Sequence, residues 1–171
     1  MPESASALSV IRPMIHADLE MVLAWRNHID VRRYMYTQHE ITLVEHLSWF
    51  ERTLKDSKKH LLIFEINHQP CGFVSFNEVG NEGVADWGFY AAPDAPKGSG
   101  RQLCSAALSY AFTQLKFHKV CGQALAYNRR SILLHKTLGF KQEGSLREHY
   151  FDGECYHRVN WFGLLCSEWL T

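Results

Sequence analysis

Between residues 42 and 76 the hydrophobic period changes once, and that change limits what the chain can fold into. Thr42 with Glu45 three residues on forms a capping box, and Leu43, Leu47, Phe50 and Leu54 then recur at helical steps. From Leu61 to Ile66 the apolar run is nearly continuous. Asn67-His68-Gln69-Pro70 breaks it, and Cys71 to Phe76 resumes it, which predicts a hairpin. A further turn at Gly80-Asn81-Glu82-Gly83 leads to a strand over Val84 to Ala91, so three strands form a meander.

The flanks add to this. Residues 8–13 read as a short edge strand ended by Pro13, and 17–28 as a helix carrying Leu19, Val22, Leu23 and Trp25. After a breaker-rich loop a long helix carries Leu103, Ala107, Tyr110, Ala111 and Leu115. A strand over 119–126 follows, then a helix from Asn128 to Leu138 stopped by Gly139. Strands over 140–149 and 154–166 flank the turn at Asp152-Gly153. The order β-α-α-β-β-β-α-β-α-β-β describes an α/β domain with a mixed sheet.

Composition narrows the function. At 171 residues with 46% apolar content, the expectation is one domain over 1–171 with a sizeable core. Eighteen basic residues balance eighteen acidic ones, which argues against a nucleic-acid partner. Five dispersed cysteines without a Cys-x-x-Cys pair read as reduced thiols, with no metal expected at them. The N-terminal segment shows no signal peptide, and no apolar run reaches the ~18 residues of a membrane span, so a soluble, cytoplasmic protein is expected.

The loop Lys97-Gly98-Ser99-Gly100-Arg101 stands between a strand and a helix N-terminus. Glycines allow close backbone approach, and unsatisfied first-turn amides with the helix dipole favour a phosphate. The loop fits neither the dinucleotide fingerprint nor a Walker A spacing, and no Gly-x-Ser-x-Gly elbow is present. Alone, Gly-Ser-Gly before a helix marks a turn as readily as a site.

In its context this loop resembles that of the GNAT superfamily of acetyl-CoA-dependent N-acetyltransferases, over essentially the whole chain. The resemblance implies a mostly antiparallel central sheet flanked by helices, with a splayed cofactor cleft. The family's (Arg/Gln)-x-x-Gly-x-(Gly/Ala) loop corresponds to Ala95-Pro96-Lys97-Gly98-Ser99-Gly100, with Ala95 replacing the leading polar residue. It implies acetyl-CoA as cosubstrate. Lys97, Gly98, Ser99, Gly100, Arg101 and Gln102 would hold its pyrophosphate, Phe89, Tyr90 and Ala91 its pantetheine and acetyl group, and Asn128 the pantetheine arm.

The first third is similar to one branch of that superfamily. Trp25-Arg26-Asn27, Arg32-Arg33-Tyr34-Met35-Tyr36 and Glu45-His46 with Trp49-Phe50 resemble the PseH-type enzymes. Those acetylate the 4-amino group of a UDP-linked amino-dideoxy sugar in pseudaminic acid synthesis. The resemblance puts Arg26, Met35, Tyr36, His46 and Phe50 around a nucleotide-sugar, with Asn77 and Tyr90 nearer the sugar.

His135 stands where the wider family often has a general-acid tyrosine, and an imidazolium there would protonate the leaving thiolate. Glu78, Asp86 and His46 are candidate bases that sequence does not rank; His135 and Glu78 are carried forward as the catalytic pair. Direct transfer without an acetyl-cysteine at Cys104 is the simpler expectation. Two rivals stand beside it: a RimJ/RimL-like protein N-terminal acetyltransferase, and a non-catalytic coenzyme A-binding module. Sequence leaves open whether the chain forms a homodimer.

Overall fold

The computed structural model describes residues 8–80 and 82–169. The N-terminal segment Met1–Ser6 and Asn81, to which the sequence reading assigned no signal peptide and part of a turn, lie outside the described residues.

Seven strands form one sheet: β1 (Ser9–Pro13), β2 (Lys59–Ile66), β3 (Gln69–Glu78), β4 (Val84–Ala91), β5 (Lys119–Leu125), β6 (Lys141–Phe151) and β7 (Tyr156–Leu165). Their spatial order is β1-β2-β3-β4-β5-β7-β6, and all neighbours are antiparallel except β4 and β5. The helices are α1 (Leu19–Asn27), α2 (Ile29–Arg32), α3 (Leu43–Leu54), α4 (Ser99–Thr113), α5 (Arg129–Thr137) and α6 (Cys166–Trp169). Every element expected from sequence is present. The four-residue helices α2 and α6 are additional, because a single turn carries too little periodicity to register.

β2 is covered on both sides. Leu61 and Ile63 join a cluster with Val22, Trp25, Phe50 and Phe73, while Leu62 and Phe64 face Leu103, Ala107 and Leu108 of α4. Burial on both faces is why its sequence runs apolar without alternation. The β2–β3 turn has Asn67 and His68 at φ of 50° and 64°, the paired left-handed geometry that suits the twist of a tight hairpin.

α3 has the expected cap: the Thr42 hydroxyl accepts from the Glu45 amide at 3.2 Å, and Glu45 accepts from the Thr42 amide at 2.7 Å. Its buried face differs from the expected stripe. His46, Phe50 and Thr53 point inward, whereas Leu43 and Leu54 are exposed. Phe50 sets this rotation by filling the α1–β2–β3 core, and the Thr53 hydroxyl is satisfied by donating to Trp49 O at 2.7 Å.

β4 and β5 pair only over Val84–Asp86 and Lys119–Cys121. β4 continues to Ala91 bonded to β3 alone, so its other edge opens into a gap. No helix among the described residues is long and apolar enough to cross a membrane.

Candidate active site

The gap between β4 and β5 is a cleft of about 790 Å³. Its walls are β4 from Asp86 onward, β5 from Cys121, the 93–100 loop, the segment 30–36, and the α5 residues Ser131, Leu134 and His135. Of the residues singled out from sequence, it brings together Met35, Tyr36, Phe89, Tyr90, Ala91, Lys97, Gly98, Ser99, Gly100, Asn128 and His135.

At the loop, Gly98 is the N-cap of α4 with φ of 91°, a conformation that favours glycine. The Ser99 amide donates to Pro96 O at 3.0 Å, and those of Arg101 and Gln102 donate to Gly98 O at 3.2 and 3.3 Å. Among the described residues, the amides of Lys97, Gly98 and Gly100 have no protein acceptor. Ser99 is 3% exposed, and its hydroxyl has no hydrogen-bond partner. A Cβ at Gly98 or Gly100 would meet no protein atom within 4 Å. Free amides, an unpartnered buried hydroxyl and unfilled space at a helix start suit a phosphate.

The anion contact is therefore narrower than the sequence suggested. The Arg101 and Gln102 amides are already committed to the helix, and their side chains lie along a separate shallow groove with Ser105, Ala106 and Ser109. Asn128 caps α5, its Oδ1 accepting from the Ser131 amide at 3.2 Å.

His135 is 1% exposed. Trp87 Nε1 donates to His135 Nε2 at 3.1 Å, and His135 Nδ1 lies 2.8 Å from the Ser131 carbonyl. An indole nitrogen only donates, so Nε2 accepts, Nδ1 carries the proton, and the ring is neutral. The ring stacks on Phe162 at 4.9 Å and meets Phe140 edge-on; burial lowers its pKa from the ordinary histidine value. This corrects the expectation of an imidazolium donor: both nitrogens serve the Trp87–Ser131 bridge. Gly122 makes the bridge possible, since a Cβ there would stand 2.3 Å from His135 Nε2 and 2.7 Å from Trp87 Nε1.

Glu78 is corrected too. It ends β3 beside His60, Oε1 to Nε2 3.3 Å, and does not line the cleft. Asp86 does line it, where β4 and β5 part, and burial pushes its carboxyl up. Sequence could not separate the two: each is an acid in a strand, and only the β4–β5 splay distinguishes them. Asn77 is exposed, opposite Asp86 in the ladder and outside the cleft.

Arg26, His46 and Phe50 also lie outside the cleft lining. Phe50 is 1% exposed and belongs to the core. Burial lowers the Arg26 pKa from its ordinary value, and its NH2 donates to Thr37 O at 2.8 Å. His46 is buried and stacked on Trp49 at 5.1 Å, and burial lowers its pKa from the ordinary histidine value. Among the described residues, three buried side-chain atoms lack a partner: Arg26 NH1, His46 Nε2 and Ser99 Oγ. At the other rim the Tyr36 hydroxyl donates to Gln123 Oε1 at 2.7 Å. Gln123 was not anticipated, and no local signal marks it.

Residues 9–141 match the model of the acetyltransferase (GNAT) domain. The chain belongs to the GNAT acetyltransferase family. It is an acetyl-CoA-dependent N-acetyltransferase. It is 31% identical over 124 residues to the acetyltransferase PseH of Campylobacter jejuni, covering 72% of this chain and 76% of that one. It is 26% identical over 149 residues to the spermidine N(1)-acetyltransferase of Escherichia coli K12, covering 85% and 80%. The spermidine N-acetyltransferase of Vibrio cholerae, solved with CoA and spermine, superposes with a TM-score of 0.88 at 24% identity, covering 95% and 98%, and shares the fold.

Two substitutions check this site. Gly100→Ala should leave the melting temperature unchanged or slightly higher, since alanine is the better helix former, while raising the acetyl-CoA KM about tenfold by crowding the phosphate; an unchanged KM would refute the phosphate placement. His135→Gln should keep kcat within about tenfold and preserve the shape of the pH profile. A general acid would contribute ~10²–10⁴-fold, so a loss of that size in a folded variant would restore His135 to catalysis.

Proposed function

We propose that the acceptor is the primary amine of a UDP-linked 4-amino-dideoxy sugar, acetylated by direct transfer. The observation that carries this reading is the pair of unpartnered buried atoms, Arg26 NH1 and His46 Nε2. Burial keeps the His46 pKa below its ordinary value, which favours a neutral ring whose Nε2 can offer a lone pair while Arg26 offers a donor. A buried guanidinium repels a polyamine and suits an oxygen-rich, anionic ligand. A donor beside an acceptor matches a uracil edge or sugar hydroxyls.

The carboxylates point the same way. Asp30 and Asp86 are the two acids lining the cleft among the described residues, and Asp30 is paired with Arg33 at 3.2 Å. That leaves Asp86 to face one ammonium group, where a polycation calls for several acids. The resemblance of the front-end helices to the PseH branch supports the same substrate class, in a cytoplasmic setting.

In the mechanism that follows, the amides of Lys97, Gly98 and Gly100 with Ser99 hold the pyrophosphate, and the free edge of β4 holds the extended arm. Asp86 takes the ammonium proton. The amine lone pair then forms the C–N bond as the thioester C–S bond breaks, and the second amine proton passes to the departing sulfur, which leaves as the thiol. Cys104 is 0% exposed with its thiol pushed well up by burial, so no acetyl-cysteine forms there.

A thiol-release assay tests this with the UDP-4-amino sugar, spermidine and N-terminal peptides as acceptors. The sugar should exceed both others by ~100-fold or more in kcat/KM, about 2.7 kcal/mol of discrimination. Asp86→Asn should lower kcat on the sugar by ~10²-fold and remove the acid limb of the pH profile. Preference for spermidine or for peptides would overturn the acceptor assignment.

A further inference from the structure

At the tip of the β6–β7 hairpin three side chains of different chemistry converge. Asp152 Oδ2 lies 2.5 Å from His157 Nε2, Cys155 Sγ lies 3.4 Å from the same nitrogen, and Sγ lies 3.7 Å from Asp152 Oδ2. One potential ligand atom from each falls within 4.8 Å of the others. We propose that Asp152, Cys155 and His157 form a binding site for a divalent cation of the zinc class, independent of the acetyl-transfer site.

The dimensions support this. With bonds of about 2.3 Å to sulfur and 2.0–2.2 Å to nitrogen and oxygen, a tetrahedral zinc spaces sulfur from nitrogen or oxygen by about 3.6 Å, and nitrogen from oxygen by about 3.4 Å. Both sulfur edges already fit within ~0.2 Å. The nitrogen–oxygen edge is a hydrogen bond that opens by about 0.9 Å when the metal replaces its proton. A thiolate, an imidazole and a carboxylate are a ligand set that zinc prefers over magnesium or calcium. Their two negative charges neutralise the ion, and the thiol proton goes to solvent.

The ligands are also held in place, which separates this cluster from a chance meeting of exposed groups. Asp152 Oδ1 accepts from the amides of Glu154 and Cys155, both at 2.8 Å, which aims the other oxygen at the cluster. The Asp152 amide donates to Cys155 O at 3.1 Å, closing a turn in which Gly153 takes φ of 105°. The His157 ring packs edge-on against Tyr127 at 4.9 Å. Oriented ligands of this kind mark metal sites more than the count of ligands does. Three ligands leave a fourth position to solvent. The spacing Asp-x-x-Cys-x-His matches neither zinc pattern sought in the sequence.

Cobalt(II) titration of the chelator-treated, reduced full-length protein is the test. One equivalent should produce a thiolate-to-cobalt charge-transfer band, displaced by zinc. Cys155→Ser should abolish the band, and His157→Gln should weaken binding by ~10-fold or more, with melting curves showing both variants folded. The loop is exposed, and neither residue lines the acetyl-transfer cleft, so thiol release by both variants serves as the control for an intact enzyme. Absence of the band in the wild type, or its persistence in Cys155→Ser, overturns the site.

Discussion

The structure depends on β4 losing β5 while keeping β3. Beyond Asp86 the ladder to β5 stops, but the other edge of β4 stays paired as far as Ala91. A strand held on one side is rigid, and its open side presents amides and carbonyls that carry a cost of ~1–3 kcal/mol each when buried unpaired. An extended ligand arm relieves that cost by lying along the strand, as a peptide does in strand addition. The same parting places the start of α4 at one end of the gap and Asp86 at the other, so the proposed phosphate site and the proposed proton acceptor are set apart by the reach of β4.

What lies against the fork is the Trp87–His135 pair. It sits on Gly122, one residue past the last paired residue of β5, where any side chain would displace it. Trp87 stacks on Phe140 and His135 on Phe162, so the bridge ties β4, α5 and β7 together in an aromatic layer. A histidine used this way is a polar rivet: two hydrogen bonds fix its ring, and burial keeps it neutral. Its place in the sequence suggests an acid; its partners make it a support for the cleft floor.

Much of the fold was readable locally because its signals are local. The Thr42–Glu45 box, the Asn67–His68 turn and the Gly139 stop each act within a few residues, and each appears as expected. The glycine loop at the start of α4 was readable for the same reason, although the amides of Arg101 and Gln102 are consumed by the helix itself. The errors came from long-range partners. Trp87 and His135 are 48 residues apart, Tyr36 and Gln123 are 87 apart, and the choice of Asp86 over Glu78 rests on where two strands diverge. Leu43, Leu47, Phe50 and Leu54 fit the helical period, but packing of Phe50 turned the helix and buried His46 instead of Leu43 and Leu54.

Amide hydrogen exchange with and without acetyl-CoA tests the account at its centre. Ligand binding should newly protect Gly98 and Gly100 at the loop and the Gly88–Ala91 stretch of β4. Arg101 and Gln102, already bonded to Gly98, should change little in comparison. Protection that appears on α4 beyond Gln102 and leaves β4 unaltered would contradict a cleft built on the parting of β4 and β5.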